Sequence, residues 1–200
     1  MKEALIIFVR HPEKGKVKTR LAATLGDDAA LVIYKKLLHH TLEITQVIKA
    51  DKFVFYAGPV IETDRWSRVN YFKMQQTEGD LGHRMCAAFK TIFARGYSKV
   101  CIVGSDCFEL SSHVLSEAFS LLNETDVVVG PAHDGGYYLL AMKQLYSSLF
   151  QNKTWSTNSV LKETLKAVSQ LNLPLTQLPL LHDVDEVEDV PQEWLAAMQR

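Results

Sequence analysis

Short apolar runs alternate with longer amphipathic stretches along the chain. Residues 4–9, 52–56, 71–75, 99–103, 126–130 and 137–141 read as buried strands, with 175–181 a weaker seventh. Apolar positions at helical spacing predict helices over 27–49, 81–95, 111–122, 158–170 and 190–198, with Asp27 and Ser111 as N-caps. In the first of these, Leu31, Tyr34, Lys35, Leu38 and Leu42 form a core-packing stripe with one polar break. Strands and helices in this alternation mean βαβ units and a largely parallel sheet covered on both faces. The runs that end near Gly130 and begin at Tyr137 are joined by a segment too short for a crossover helix, so at least one strand must run antiparallel. The expectation is a three-layer α/β/α architecture with a mixed, mostly parallel sheet, in one domain over residues 1–200.

Composition narrows the classes of function. The net charge of -1 offers no global attraction to nucleic acid or to an anionic membrane, so recognition has to come from local clusters. Cys86, Cys101 and Cys107 are too few for a disulfide framework, lack structural-zinc spacing, and read as small apolar side chains in or near the core. With a first apolar run too brief for a signal peptide or a membrane span, the reading is a cytoplasmic protein with no membrane or nucleic-acid partner.

In open α/β sheets, ligands bind beyond the carboxyl ends of the strands. The first strand runs directly into Arg10-His11-Pro12-Glu13-Lys14-Gly15-Lys16-Val17-Lys18-Thr19-Arg20, a concentrated block of positive charge in a nearly neutral chain. Arg10, Lys14, Lys18 and Arg20 can grip phosphate oxygens, and Gly15 lets the backbone approach closely. A solvated basic loop is the competing reading. The segment lacks the glycine order of a Walker loop, and its Arg10-His11 pair resembles that of histidine phosphatases, which would make His11 a phosphate acceptor.

The run 99–103 ends in Gly104-Ser105-Asp106, which puts a carboxylate at the sheet edge beside two small residues suited to phosphate approach. Carboxylates in such a place hold Mg²⁺ or Mn²⁺ together with substrate phosphates; the competing reading is Asp106 capping a turn or the helix from Ser111. Asp183 and Asp185 flank Val184, so an extended backbone points both acids the same way; across a cleft from Asp106 they would complete a metal site, and alone they would be a solvated helix start. Asp134-Gly135-Gly136-Tyr137 is either a ligand-binding turn or a plain hairpin. Trp155-Ser156-Thr157 either contacts the acceptor or base, or caps the helix after it.

Together, Val17-Lys18-Thr19-Arg20-Leu21, Gly104-Ser105-Asp106-Cys107, Gly130-Pro131-Ala132, Asp134-Gly135-Gly136-Tyr137-Tyr138-Leu139-Leu140, Trp155-Ser156-Thr157 and Asp183-Val184-Asp185 resemble the bacterial glycosyltransferase-like group associated with arsenosugar biosynthesis. That group resembles the wider GT-A nucleotide-diphospho-sugar transferase superfamily. The resemblance implies a GT-A fold, a Mg²⁺ or Mn²⁺ ion on Asp106 and Asp185 with Asp183 close by, a nucleotide sugar or nucleoside triphosphate as donor, and a small-molecule acceptor. Lys18 and Arg20 would neutralise the leaving diphosphate, with Asp134 as acceptor base or positioning group and Gly135, Gly136, Tyr137 and Trp155 around the substrate. The chain departs from the group's pattern at Cys107-Phe108, where Cys-Pro is usual, and at Glu186-Val187, where Thr-Pro is frequent. The first loop also lacks the glycine-rich segment of many nucleotidyltransferases, which favours sugar transfer over nucleotidyl transfer.

Overall fold

A computed structural model describes residues 2–68 and 70–198. Strands Glu3–Arg10 (β1), Asp51–Ala57 (β2), Tyr71–Gln75 (β3), Lys99–Val103 (β4), Val127–Pro131 (β5), Tyr137–Met142 (β6) and Leu175–Gln177 (β7) form one sheet in the order β3-β2-β1-β4-β6-β5-β7. Strand β6 runs antiparallel between β4 and β5, and the other pairings are parallel. The cause is the turn between β5 and β6, which is too short to carry the chain back across the sheet. The carboxyl ends of β1, β2, β4 and β5 consequently share one edge.

Alternation along β1 shows how the core divides. Leu5, Ile7 and Val9 face one side, where they meet Tyr34, Leu38 and Leu42 of helix α2 (Asp27–Gln46) and Leu115, Ala118 and Phe119 of α4 (Ser112–Leu121). Ala4 and Ile6 face the other, against Met85, Ala88, Phe89 and Ile92 of α3 (Leu81–Phe93) and Val168 of α5 (Val160–Gln170). Burial on both faces explains why the strands read as continuous apolar runs, each fully buried Leu or Ile contributing about 1.5–3 kcal/mol. A third cluster joins Leu21 of α1 (Thr19–Leu25), Ala30, Ile33 and Leu37 of α2, and Val184 and Val190, with Trp194 and Leu195 of α6 (Gln192–Met198) packed against it. Among the described residues no helix is long and apolar enough to cross a membrane.

Several boundaries differ from expectation. Helix α1 starts at the end of the basic segment and is an element the sequence pattern does not predict: it is 7 residues long, with Leu21 buried and Ala22 and Leu25 packed beside it. Asp27 is in the first turn of α2 and not its cap, a place taken by Gly26 at φ 84°; its carboxylate favours the positive end of the helix dipole instead. Ser111 does cap α4, accepting from Val114 N, and Asp80 caps α3 by accepting from His83 N. Strand β7 stops at Gln177, with Pro179 two residues on, whose missing N–H cannot extend a ladder. Helix α6 begins at Gln192, just after Pro191, and α5 at Val160, two residues later than the spacing suggests.

The turn after β5 is pinned to the segment before α5. Leu161 N donates to Gly135 O at 2.9 Å, and Gly135 adopts φ +86° with its Cα so close to Asn158 that a Cβ there would lie 2.2 Å from the Asn158 carbonyl oxygen. Both the backbone angle and the space demand glycine. Gly135→Ala should therefore lose about 2–4 kcal/mol of unfolding free energy, read as a lower urea midpoint at unchanged slope.

Candidate functional site

Three segments distant in sequence meet at the strand-end edge. Lys18, the residue before α1, has left-handed backbone angles (φ 48°, ψ 51°), unusual for a residue other than Gly or Asn. That conformation turns its side chain inward, where Nζ lies 3.1 Å from Asp106 Oδ1 and 2.9 Å from Asp185 Oδ1 with 5% of the side chain exposed. Burial works against the ammonium, but Asp106 and Asp185 outweigh it and hold its pKa above the ordinary lysine value.

The backbone sets these partners. Asp106 follows β4 through Gly104 and the buried Ser105, and its carbonyl accepts from Val184 N at 2.9 Å. Val184 plugs into the third core cluster, and the residues on either side of it point toward the site, as alternation requires. Asp185 is steadied by Asp189, whose Oδ2 accepts from the N–H groups of Asp185 and Glu186 at 3.0 and 2.8 Å. Burial, then the charges of Asp106 and Asp134, push the Asp183 carboxyl up to about 7, only partly offset by Lys18. Asp106 and Asp185 therefore contact the lysine, and Asp183 feels the charges of both of them and of Asp134.

Tyr34 is a site contributor that its helical spacing conceals. Its ring packs in the core under β1, while its hydroxyl accepts from Arg10 N at 2.8 Å and stands 3.4 Å from Ser105 Oγ, joining the β1 and β4 loops. The one available signal is general: a buried tyrosine needs a partner for its hydroxyl.

The other predicted residues divide. Lys14 pairs with Asp28 at 2.7 Å on the surface, Lys16 pairs with Glu13, and Gly15 makes the intervening turn at φ +75°. Arg10 and Arg20 are exposed. His11 Nε2 lies 2.7 Å from the Pro59 carbonyl, so this nitrogen donates its proton and has no lone pair for attack on phosphate. Asp134 Oδ1 accepts from Gly136 N at 2.8 Å, closing a turn on itself. Tyr137 reaches Met85 of α3, and the Trp155 indole packs where a Cβ on Gly82 would sit, with Lys153 over its ring. Among the described residues, no hydrogen bond or ion pair links Tyr137 or Trp155 to Lys18, Asp106 or Asp185; both lie against α3. The Thr157 hydroxyl donates to Thr154 O, and Ser159, not Trp155, immediately precedes α5.

The donor set is carboxylate oxygen throughout, which suits a hard divalent cation, and it carries more negative charge than Lys18 neutralises. Among the described residues, however, no group of three or more His, Cys, Asp or Glu side chains stands at metal-holding spacing. Asp106 and Asp185 turn their oxygens to Lys18 instead.

Comparison with known proteins is consistent with this geometry. The chain is similar to a candidate nucleotide-diphospho-sugar transferase from Desulfovibrio desulfuricans G20, at 31% identity over 94% of this chain and 85% of that one, with a TM-score of 0.87. It shares its fold with a CMP:2-keto-3-deoxy-manno-octonic acid synthetase complexed with CTP (8% identity, 100% and 99% of the two chains, TM-score 0.59). It also shares it with a Mycobacterium tuberculosis H37Rv protein in complex with manganese (13%, 94% and 96%, TM-score 0.54). The fold is that of nucleotide-diphospho-sugar transferases, and a search of curated proteins gives no match. Residues 41–157, more than half of the sequence, match the family described as "Uncharacterized protein conserved in bacteria (DUF2064)", and the chain belongs to that family.

Proposed function

We propose that this chain is a glycosyltransferase-like enzyme that binds a nucleotide-diphospho-sugar with Mg²⁺ or Mn²⁺ and passes the sugar to a small-molecule acceptor, residues 1–200 acting as one cytoplasmic transferase domain. The observation that carries this reading is the meeting of Lys18, Asp106 and Asp185 at the strand-end edge, with Arg10 and Arg20 exposed on the same basic stretch of chain. A divalent cation bound there would neutralise charge on the donor's diphosphate. Asp106 and Asp185 would hold it, with Asp183 adjoining.

The remaining work falls to the protein's own groups. Lys18 and Arg20 stabilise the leaving nucleoside diphosphate, with Arg10 and Lys14 along the phosphate path and Gly104 and Ser105 leaving room for it. Asp134, whose Oδ1 is occupied by Gly136 N, keeps its second oxygen to accept the acceptor's proton or orient its hydroxyl. Gly135 and Gly136 shape the turn below it, and Tyr137 and Trp155 build the wall against α3. The resemblance to the arsenosugar-associated group makes arsenic-bearing compounds one acceptor class. Nucleotidyl transfer is the second reading, favoured by the fold shared with a synthetase complexed with CTP; release of pyrophosphate in place of a nucleoside diphosphate would single it out.

Calorimetric titration of UDP, GDP, CDP and their sugars with and without Mn²⁺ tests the proposal. One nucleotide should bind only with metal, and Asp106→Asn should weaken it at least tenfold while the circular-dichroism spectrum stays unchanged. Metal-independent binding, or none, would overturn it.

Charge crowding also costs stability. The Asp183 carboxyl is raised in the folded protein to about 7 from an ordinary value of 3.8, so between these pH values the folded state holds more protons than the unfolded state. Stability therefore falls as pH rises through that window, and the loss is complete above 7. Without added metal, Asp183→Asn should melt higher than wild type at pH 8, by about 1–2 kcal/mol after screening, and show little gain at pH 4.

A further inference from the structure

The side chain at the centre of the acidic cluster is itself a cation. Lys18 Nζ contacts Asp106 Oδ1 at 3.1 Å and Asp185 Oδ1 at 2.9 Å, so one oxygen of each acid already has a cation beside it. Its side chain is 95% buried, and the left-handed backbone at φ 48° holds it there at some conformational cost. An ammonium and a divalent ion cannot share the same two oxygens, because like charges a few ångströms apart repel strongly in a partly desolvated site. The absence of a three-ligand group at metal spacing among the described residues fits the same arrangement, with the acids turned toward lysine.

We propose that Lys18 is the resident counter-ion of the Asp106–Asp185 pair and must leave it for a divalent cation to enter, so that metal and phosphate binding are coupled through one side chain. This inference rests on the function proposed above. A lysine has four rotatable side-chain bonds and a compact charge, so the freed ammonium can move without the backbone. Arg10 and Arg20 are exposed on the same basic stretch of chain as Lys18 and free to meet the donor's phosphate, which offers Lys18 a new anionic partner. The coupling is reciprocal: phosphate that draws Lys18 away tightens metal binding, and metal that expels Lys18 tightens phosphate binding. In metal-free protein Lys18 offsets part of the negative charge of Asp106 and Asp185.

Two measurements with Mn²⁺ alone test this. Paramagnetic-resonance titration of free Mn²⁺ should give Lys18→Met at least tenfold tighter binding than wild type, and Lys18→Arg, which keeps a cation, no tighter binding than wild type. In wild-type protein, where folding is not at issue, Lys18 should resist acetylation by an amine-reactive ester and become labelled once Mn²⁺ is saturating, as mapped by mass spectrometry. Equal or weaker Mn²⁺ binding by Lys18→Met, or continued protection of Lys18 with Mn²⁺ bound, would overturn the inference and leave the metal site standing. Failure of Mn²⁺ to bind either protein would overturn both.

Discussion

The Lys18 ammonium between Asp106 and Asp185 is the contact on which the functional edge depends. It ties the segment after β1 to residues 88 and 167 positions further along, where the two carboxylates would otherwise repel each other and Asp183. An exposed ion pair contributes little, but here the lysine is 5% exposed while Asp106 and Asp185 keep 46% and 38% of their side chains in solvent, so losing both acids would strand the ammonium rather than the carboxylates. Further hydrogen bonds brace it: Val184 N on the Asp106 carbonyl, the Tyr34 hydroxyl between Arg10 and Ser105, and the Asp189 carboxylate on Asp185 N.

The sheet makes that meeting possible. Parallel pairing of β1 with β2 and β4 sends their carboxyl ends to one edge, and the reversal at β6 lets β5 deliver the Asp134 turn to the same edge. Helix α2 serves two partners, with Tyr34, Leu38 and Leu42 on the sheet and Ala30, Ile33 and Leu37 against α1 and the chain's last segment. That last segment returns through the isolated Ala132–Leu181 bridge and the bonds His133 N to Leu181 O and His182 N to Glu109 Oε2, with the imidazoles of His133 and His182 stacked at 3.5 Å. The acids of residues 183 and 185 are thus carried in on a backbone held at several points before their charges interact.

Much of this is legible in the sequence, because burial on both faces writes itself as unbroken apolar runs. Strands β3 and β4 match the expected ranges residue for residue, and the antiparallel strand follows from the length of one connection. Asp106 at a strand end and the Asp-Val-Asp alternation are readable for the same reason: strand periodicity fixes which way a side chain points. Helix α1 is not readable, since 7 residues that follow directly on a basic segment are too short a stretch for a period to stand out, and Tyr34 is indistinguishable from any other core position of α2.

The sequence by itself determined the α/β class, the strand edge where charged loops gather, and the acids and cations present there, because these follow from local periodicity and from residue chemistry. Tertiary structure decided which cation meets which acid. Lys14 and Lys16 are as basic as Lys18, yet they end in solvent beside Asp28 and Glu13, while Lys18 alone of the three is turned inward by its backbone angles and by α1 docking on Leu21. It likewise turned Gly135 from a ligand-approach glycine into a packing point against Asn158, and aimed Tyr137 and Trp155 at α3. Pairings across more than a hundred residues depend on how the layers stack, and no local pattern encodes that.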